Sequence, residues 1–299
     1  MPRLLAVSLL VITTMLWGFA FVAQKSAMDT MGPLTFSAVR YLLGSLAILP
    51  LVFWELRSTG KRLERSEWAV VALIALSFFA GVTLQQIGLT MTTVTNGGFL
   101  TSLYVLFVPL LALVVFFQKP HPIVWAGVPM ALVGVYLLNG GRLDSFNLGD
   151  LLVVFSAVAW AVQVYLIGTV SKRTGLPVTI SVLCFLTTAV LSGAGAFTFE
   201  TPNLAAVGDG WVQIAYAGIL STAVAFTLQA VAQQYVPPAN AAIILSAEGL
   251  FAALGGAVVL GERLPMIGYV GAALIFFAIV MVELVPALQE KNAAPVLKQ

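Results

Sequence analysis

The chain has 299 residues, of which 60% are hydrophobic and only 9% charged, where a soluble domain carries about 25% charged residues. A polar outer surface is therefore excluded, and the net charge of +2 and single cysteine, Cys184, argue against a nucleic-acid partner, a disulfide framework and a cysteine metal centre. The solvent for such a chain is the lipid bilayer.

A spanning helix needs about 20 largely apolar residues. Cutting the sequence at its charges and turn residues predicts ten helices, at 4–24, 33–54, 68–90, 95–117, 122–139, 150–169, 176–199, 211–234, 239–260 and 265–285. The first begins like a signal peptide, with Met-Pro-Arg and an apolar run, but its match to the sixth helix argues that it is retained. Two cuts fall in uncharged stretches and rest on Thr92-Thr-Val-Thr-Asn-Gly-Gly98 and Val236-Pro-Pro-Ala-Asn240, where Gly, Pro and Asn mark turns. Asn96 and Asn240 are expected there as N-caps. Gly140 to Gly149 reads as a connector between halves, and Gln289 to Gln299 as a polar, disordered tail.

The helices repeat. Trp17 recurs as Trp160 and Trp68 as Trp211, 143 residues on, while Thr83, Gln85, Asn96 and Ser102 recur as Thr227, Gln229, Asn240 and Ser246, 144 residues on. The domains are thus expected as 1–140, 141–288 and the tail 289–299, and the fold class as an all-α integral membrane protein of two five-helix repeats. A unit of five crossings ends on the side opposite its start, so the second copy enters the membrane inverted. The cations agree: Arg3, Arg57, Lys61, Arg62, Arg65, Lys119, Lys172, Arg173, Lys291 and Lys298 fall on one side, and only Lys25, Arg142 and Arg263 on the other. The positive-inside rule then puts both termini in the cytoplasm.

Trp54, Trp68, Trp125 and Trp211 fall at or near helix ends, the interfacial position favoured by that ring. Trp17 and Trp160 do not. Counted at 1.5 Å per residue, they lie roughly 20 Å and 15 Å from the cytoplasmic face, and are expected either to pack or to wall a central cavity. Arg40 is the costliest residue in the spans, at about 2.5–3.5 kcal/mol on insertion scales; it either snorkels or attracts an anion. Glu248 is the other intramembrane charge, and an ion pair with Arg40 is possible if their helices adjoin. Gln24, Gln85, Gln163, Gln229, Asn96, Ser102, Ser246 and Tyr104 can all join helices by hydrogen bonds. Gly255, Gly256 and Gly271 permit close helix approach.

No Gly-x-x-x-x-Gly-Lys-[Ser/Thr] loop is present, which excludes a pump of that type. The spans hold no acid pair at metal-binding or acid-base spacing and the single histidine, His121, stands at a helix boundary, so an enzyme lacks its parts. Movement of a small solute remains.

Leu16-Trp-Gly18, Val39-Arg-Tyr41 and above all the block from Val236 to Leu264, ending Leu260-Gly-Glu-Arg-Leu264, resemble the EamA-type branch of the drug/metabolite transporter superfamily. The resemblance covers essentially the whole chain. It implies a ten-helix basket of inverted repeats that exports small metabolites, often amino acids and including the aromatic amino-acid exporter branch, from the bacterial cytoplasm. It also implies a structural role for Glu262 at the close of the ninth helix. The first repeat departs from the pattern with Gln118-Lys-Pro in place of Gly-Glu-Arg, and Gly249 stands where many members have Pro.

The expected function is amino-acid export across the inner membrane by alternating access, without cofactor, metal, nucleic acid or obligate protein partner. Trp17, Tyr104 and Trp160 are expected to wall the substrate cavity, with Arg40, Asn96, Gln163, Ser246 and Glu248 supplying its polar groups. A nucleobase, drug-like cation or sugar derivative is the alternative cargo, and a sensor or assembly subunit without flux the alternative class.

Overall fold

The computed structural model describes residues 1–138, 140–141, 147–261, 263 and 266–293; the central part of the expected connector, Glu262 and the last six residues lie outside them. Every regular element among the described residues is helical. Among the described residues nine helices are long and apolar enough to cross a membrane, and the shorter apolar Val124–Leu137 makes a tenth.

The elements are α1 (Arg3–Ala27), α2 (Pro33–Thr59), α3 (Trp68–Leu89), α4 (Val94–Val114), α5 (Val124–Leu138), α6 (Leu148–Thr174), α7 (Pro177–Phe199), α8 (Trp211–Ala232), α9 (Pro238–Val259) and α10 (Met266–Ala293). Proline at the first turn starts α2, α7 and α9, where a missing N–H leaves no bond unmade. Gly60 and Gly175, at φ 65° and 71°, end α2 and α6 in the left-handed conformation that glycine alone adopts without strain. A capping box of Asn147 and Asp150 opens α6.

Several boundaries differ from expectation. The last helix runs on to Ala293, into the segment expected to be disordered, because Leu288, Gln289, Glu290 and Lys291 are all good helix formers. A short helix, Leu204–Asp209, capped by Asn203, interrupts the loop before α8. Thr93, rather than Asn96, accepts the capping bond of α4, and Pro237 stands at the cap position of α9. Asn96 and Asn240 face other helices instead: Asn96 Nδ2 donates to Asp150 and Thr92, and Asn240 Nδ2 to Glu283 Oε1 at 3.1 Å. Each is the third residue of its helix, past the cap position, so its side chain can donate across to α6 or α10.

The inversion of the repeat can be read from hydrogen bonds. Glu55, near the end of α2, accepts from Val178 N, Thr179 N and Thr179 Oγ1 at 2.9, 2.8 and 2.6 Å at the start of α7. Glu200, at the end of α7, accepts from Leu34 N, Thr35 N and Thr35 Oγ1 at 2.8, 2.8 and 2.6 Å at the start of α2. Each helix caps the other's positive N-terminus with a carboxylate, which requires α2 and α7 to be antiparallel. Arg3 pairs with Glu283 at 3.0 Å, so the start of α1 and the end of α10 share one face, here called the terminal face; the opposite one is the far face.

Two spans are broken at matching places. The helix α4 is interrupted at Ser102 and Leu103, and α9 at Ser246 and Ala247. The breaks touch, since Ser102 Oγ donates to Ser246 O at 3.1 Å. Residues Tyr216–Phe226 of α8 wind as a π-helix, whereas the equivalent α3 is α-helical throughout. Glycines bring helices close at the centre: a Cβ on Gly18 would overlap Phe251 of α9, and one on Gly44 would lie 2.5 Å from Thr222 of α8.

Candidate functional site

Six helices surround one central cavity. Trp17, Phe21 and Gln24 come from α1, Arg40 from α2, Gln85 from α3, Trp160, Gln163 and Val164 from α6, Ser221 and Phe226 from α8, and Glu248 from α9. The space inside is about 30 Å³. That holds roughly two waters, where small-molecule pockets measure about 300–1,000 Å³. The cavity is therefore too narrow for a solute of amino-acid size, which enters only if helices or side chains move.

Aromatic rings supply the walls. Phe226 stands between the two tryptophans, with its centroid 4.4 Å from Trp17 and 5.7 Å from Trp160, stacked on the latter. Phe78 meets Trp160 edge-on at 5.3 Å. Both indoles are tied: Trp17 Nε1 donates to Ser221 O at 3.1 Å, and Trp160 Nε1 to Gln85 Oε1 at 2.7 Å. Gly81 makes room for the Trp160 ring, since a Cβ there would lie 3.0 Å from the indole.

Two ionisable groups reach this apolar box. Arg40 is 3% exposed, so it does not snorkel to the interface. Its guanidinium lies over the rings of Tyr41 and Phe36, at 4.5 and 5.5 Å, and Nη2 donates to the Tyr41 hydroxyl. Its Nε and Nη1 have no hydrogen-bond partner among the described residues, and neither has Oε1 of Glu248. The two groups share the cavity, yet no ion pair joins them among the described residues. An arginine fork left partly open in a low-dielectric site can receive a carboxylate or similar anion.

Glu248 owes its place to the broken helix. It is the first residue after the break in α9, and Tyr104 is the first after the break in α4, one repeat earlier. The Tyr104 hydroxyl is buried beside the Glu248 carboxyl group. Discontinuous helices that meet near the midplane at a repeat interface mark the solute site in many transporters.

Of the residues expected at the site, Trp17, Arg40, Trp160, Gln163 and Glu248 meet around the cavity. Tyr104 stands behind Glu248. Ser246 lies in the break of α9, where its hydroxyl donates to Ile243 O and its carbonyl serves Ser102. Asn96 is bound to Asp150 and Thr92 near the start of α4, away from the cavity. Sequence reasoning placed Gln24 and Gln85 among helix-joining residues and passed over Ser221 and Phe226. The repeated glutamine at 85 and 229 was a usable signal; one phenylalanine among 19 was not.

The profile of the EamA-like transporter family matches this chain twice, over residues 4–140 and 147–284. An uncharacterized transporter of Archaeoglobus fulgidus is 33% identical over 279 residues, which cover 92% of this chain and 84% of that protein. The uncharacterized transporter YwfM of Bacillus subtilis is 27% identical, with 95% of each chain covered. The uncharacterized inner membrane transporter YedA of Escherichia coli is 26% identical over 90% of this chain and 87% of its own. A solved crystal structure superposes with a TM-score of 0.78 over 97% of this chain and 100% of that one, at 20% identity, and shares the fold.

Proposed function

The chain belongs to the EamA-like transporter family of the drug/metabolite transporter superfamily, and we propose that this integral membrane transporter exports amino acids, neutral or aromatic, by alternating access at the central cavity. The observation that carries this reading is the open side of Arg40: two donor nitrogens, Nε and Nη1, without a partner among the described residues, in a box with tryptophan walls and one carboxyl oxygen likewise unpartnered. A zwitterion supplies what each lacks. Its carboxylate takes the arginine fork, its ammonium faces Glu248, and its side chain lies against the aromatic wall of Trp17, Phe226 and Trp160, with Gln163 offering a further amide. Tyr104, Ser246 and Asn96 support that site at a distance, by backing Glu248, by holding the break of α9 and by joining α4 to α6.

The two halves, 1–140 and 141–288, rock against one another to open the site to each face in turn. The excess of Lys and Arg on the terminal face supports a cytoplasmic location for both termini, and the name of the Escherichia coli relative supports the inner membrane.

Reconstitution into liposomes tests the substrate class. Labelled neutral and aromatic amino acids should enter faster than into empty vesicles, and faster than nucleobases, sugars and quaternary amines. Flux of a nucleobase or quaternary amine in the absence of amino-acid flux overturns the reading.

A further inference from the structure

We infer that Gln85 and Gln229, which stand at equivalent points of the two repeats 144 residues apart, are the latches that close the cavity at its two ends, and that transport requires them to open in turn. The inference rests on reading the tryptophan-walled cavity as the transport path.

The far-face end is closed by Gln85. Its Nε2 donates to Gln24 Oε1 at 3.5 Å, and its Oε1 accepts the Trp160 indole at 2.7 Å. Gln24 and Gln85 lie about 5 and 6 Å from the far-face ends of α1 and α3 at 1.5 Å per residue. One side chain thereby ties α1, α3 and α6 together above the aromatic box. The terminal-face end is closed by Gln229. It exchanges two bonds with Gln163, each 3.3 Å, about 5 Å from the end of α8. The neighbouring Gln233 strengthens the same seam by donating to Val164 O at 2.9 Å.

The latch partners do not correspond under the repeat. Gln24 aligns with Ile167, and Gln163 with Ala20. Each half has therefore met the glutamine of the repeated position with a partner of its own, which points to a shared task at both ends rather than to a relic of duplication. A carboxamide suits that task. It is neutral, so closing needs no proton, and one or two such bonds bias an equilibrium by roughly ten-fold, enough to hold a gate that thermal motion still opens. With both latches made, the cavity keeps only its 30 Å³.

The test uses a thiol inside the cavity and needs no substrate. In a Cys184→Ser, Ser221→Cys background the protein is reconstituted in one orientation, and a membrane-impermeant maleimide is added from one face or the other. Gln85→Leu should speed labelling from the far face roughly five-fold without speeding it from the terminal face. Gln229→Leu should do the opposite. Gln24→Leu and Gln163→Leu should repeat the respective shifts and serve if a first variant fails to fold. Equal effects on both faces, or no effect with the protein intact, mean that these amides only join helices and overturn the proposal. Opposite shifts without flux of any amino acid leave the latches standing and overturn the substrate reading instead.

Discussion

Replacing Arg40 by Met separates binding from stability. The side chain is buried, and its Nε and Nη1 are unpartnered among the described residues. Nε–H and the Nη1 N–H groups open on different edges of the guanidinium, so a carboxylate that meets one of them together with the second N–H of Nη2 makes two charge-assisted bonds, each worth about 1.5–3 kcal/mol. Their joint loss, about 3–6 kcal/mol, corresponds to an affinity decrease of roughly 100-fold or more at 1.4 kcal/mol per decade. The fold should respond the other way: Met fills a similar volume and removes a charge that costs about 2.5–3.5 kcal/mol to place in a membrane helix. The one bond that Arg40 gives back, to the Tyr41 hydroxyl, offsets only part of that relief. Equilibrium binding of a labelled amino acid to purified protein, paired with thermal unfolding followed by tryptophan fluorescence, measures both quantities. Arg40→Met should lose affinity at an unchanged or higher melting temperature, and Arg40→Lys should fall between, since it keeps the charge and loses the fork. Unchanged affinity with a lower melting temperature would assign Arg40 to the scaffold and refute the reasoning.

Glu55→Ala leaves two helix N–H groups and the Thr179 hydroxyl without their acceptor, and should destabilise the protein by about 2–3 kcal/mol. Glu200→Ala, at the more exposed end of the same helix pair, should cost less; thermal unfolding that ranks them the other way contradicts the burial argument. Gly44→Leu forces a side chain against Thr222 and Gly218 of α8, so the folded yield on size-exclusion chromatography should drop sharply, with wild-type yield showing that α2 and α8 can separate freely. A green fluorescent protein fused after Gln299 should fluoresce in bacterial cells, as expected for a cytoplasmic C-terminus; a dark fusion that is present at normal amount reverses the assigned topology.

The sequence made the frame legible because helix count depends on long runs of residues, and ten apolar stretches survive errors of a few positions at their ends. The broken helices were not legible. Ser102 and Ser246 read as ordinary polar residues, because the interruption is stabilised by a contact between the two breaks, a tertiary fact. The long α10 and the π segment of α8 were missed for related reasons: helix formers after Leu288 continue a helix past the apolar run, and no residue pattern marks a change from α to π winding. Depth arithmetic found Trp17 and Trp160 because a tryptophan far from either interface is unusual. Position in the sequence could not place Asn96, where a polar side chain at a helix start had two readings and the decisive partner, Asp150, lies 54 residues away.

The duplicated frame explains why the chemically selective groups are single. Positions that hold the architecture are repeated, as in the reciprocal caps from Glu55 and Glu200, the touching breaks at Ser102 and Ser246, and the paired indoles. A symmetric site would offer a zwitterion two like ends. Discrimination between its carboxylate and its ammonium needs the symmetry to fail, and it fails where the cavity is polar: Arg40 aligns with Leu183, and Glu248 with Tyr104. The cation thus comes from one half and the carboxylate from the other. The zwitterion proposed to sit between them would bridge both repeats, so that either half would release it by moving against its partner.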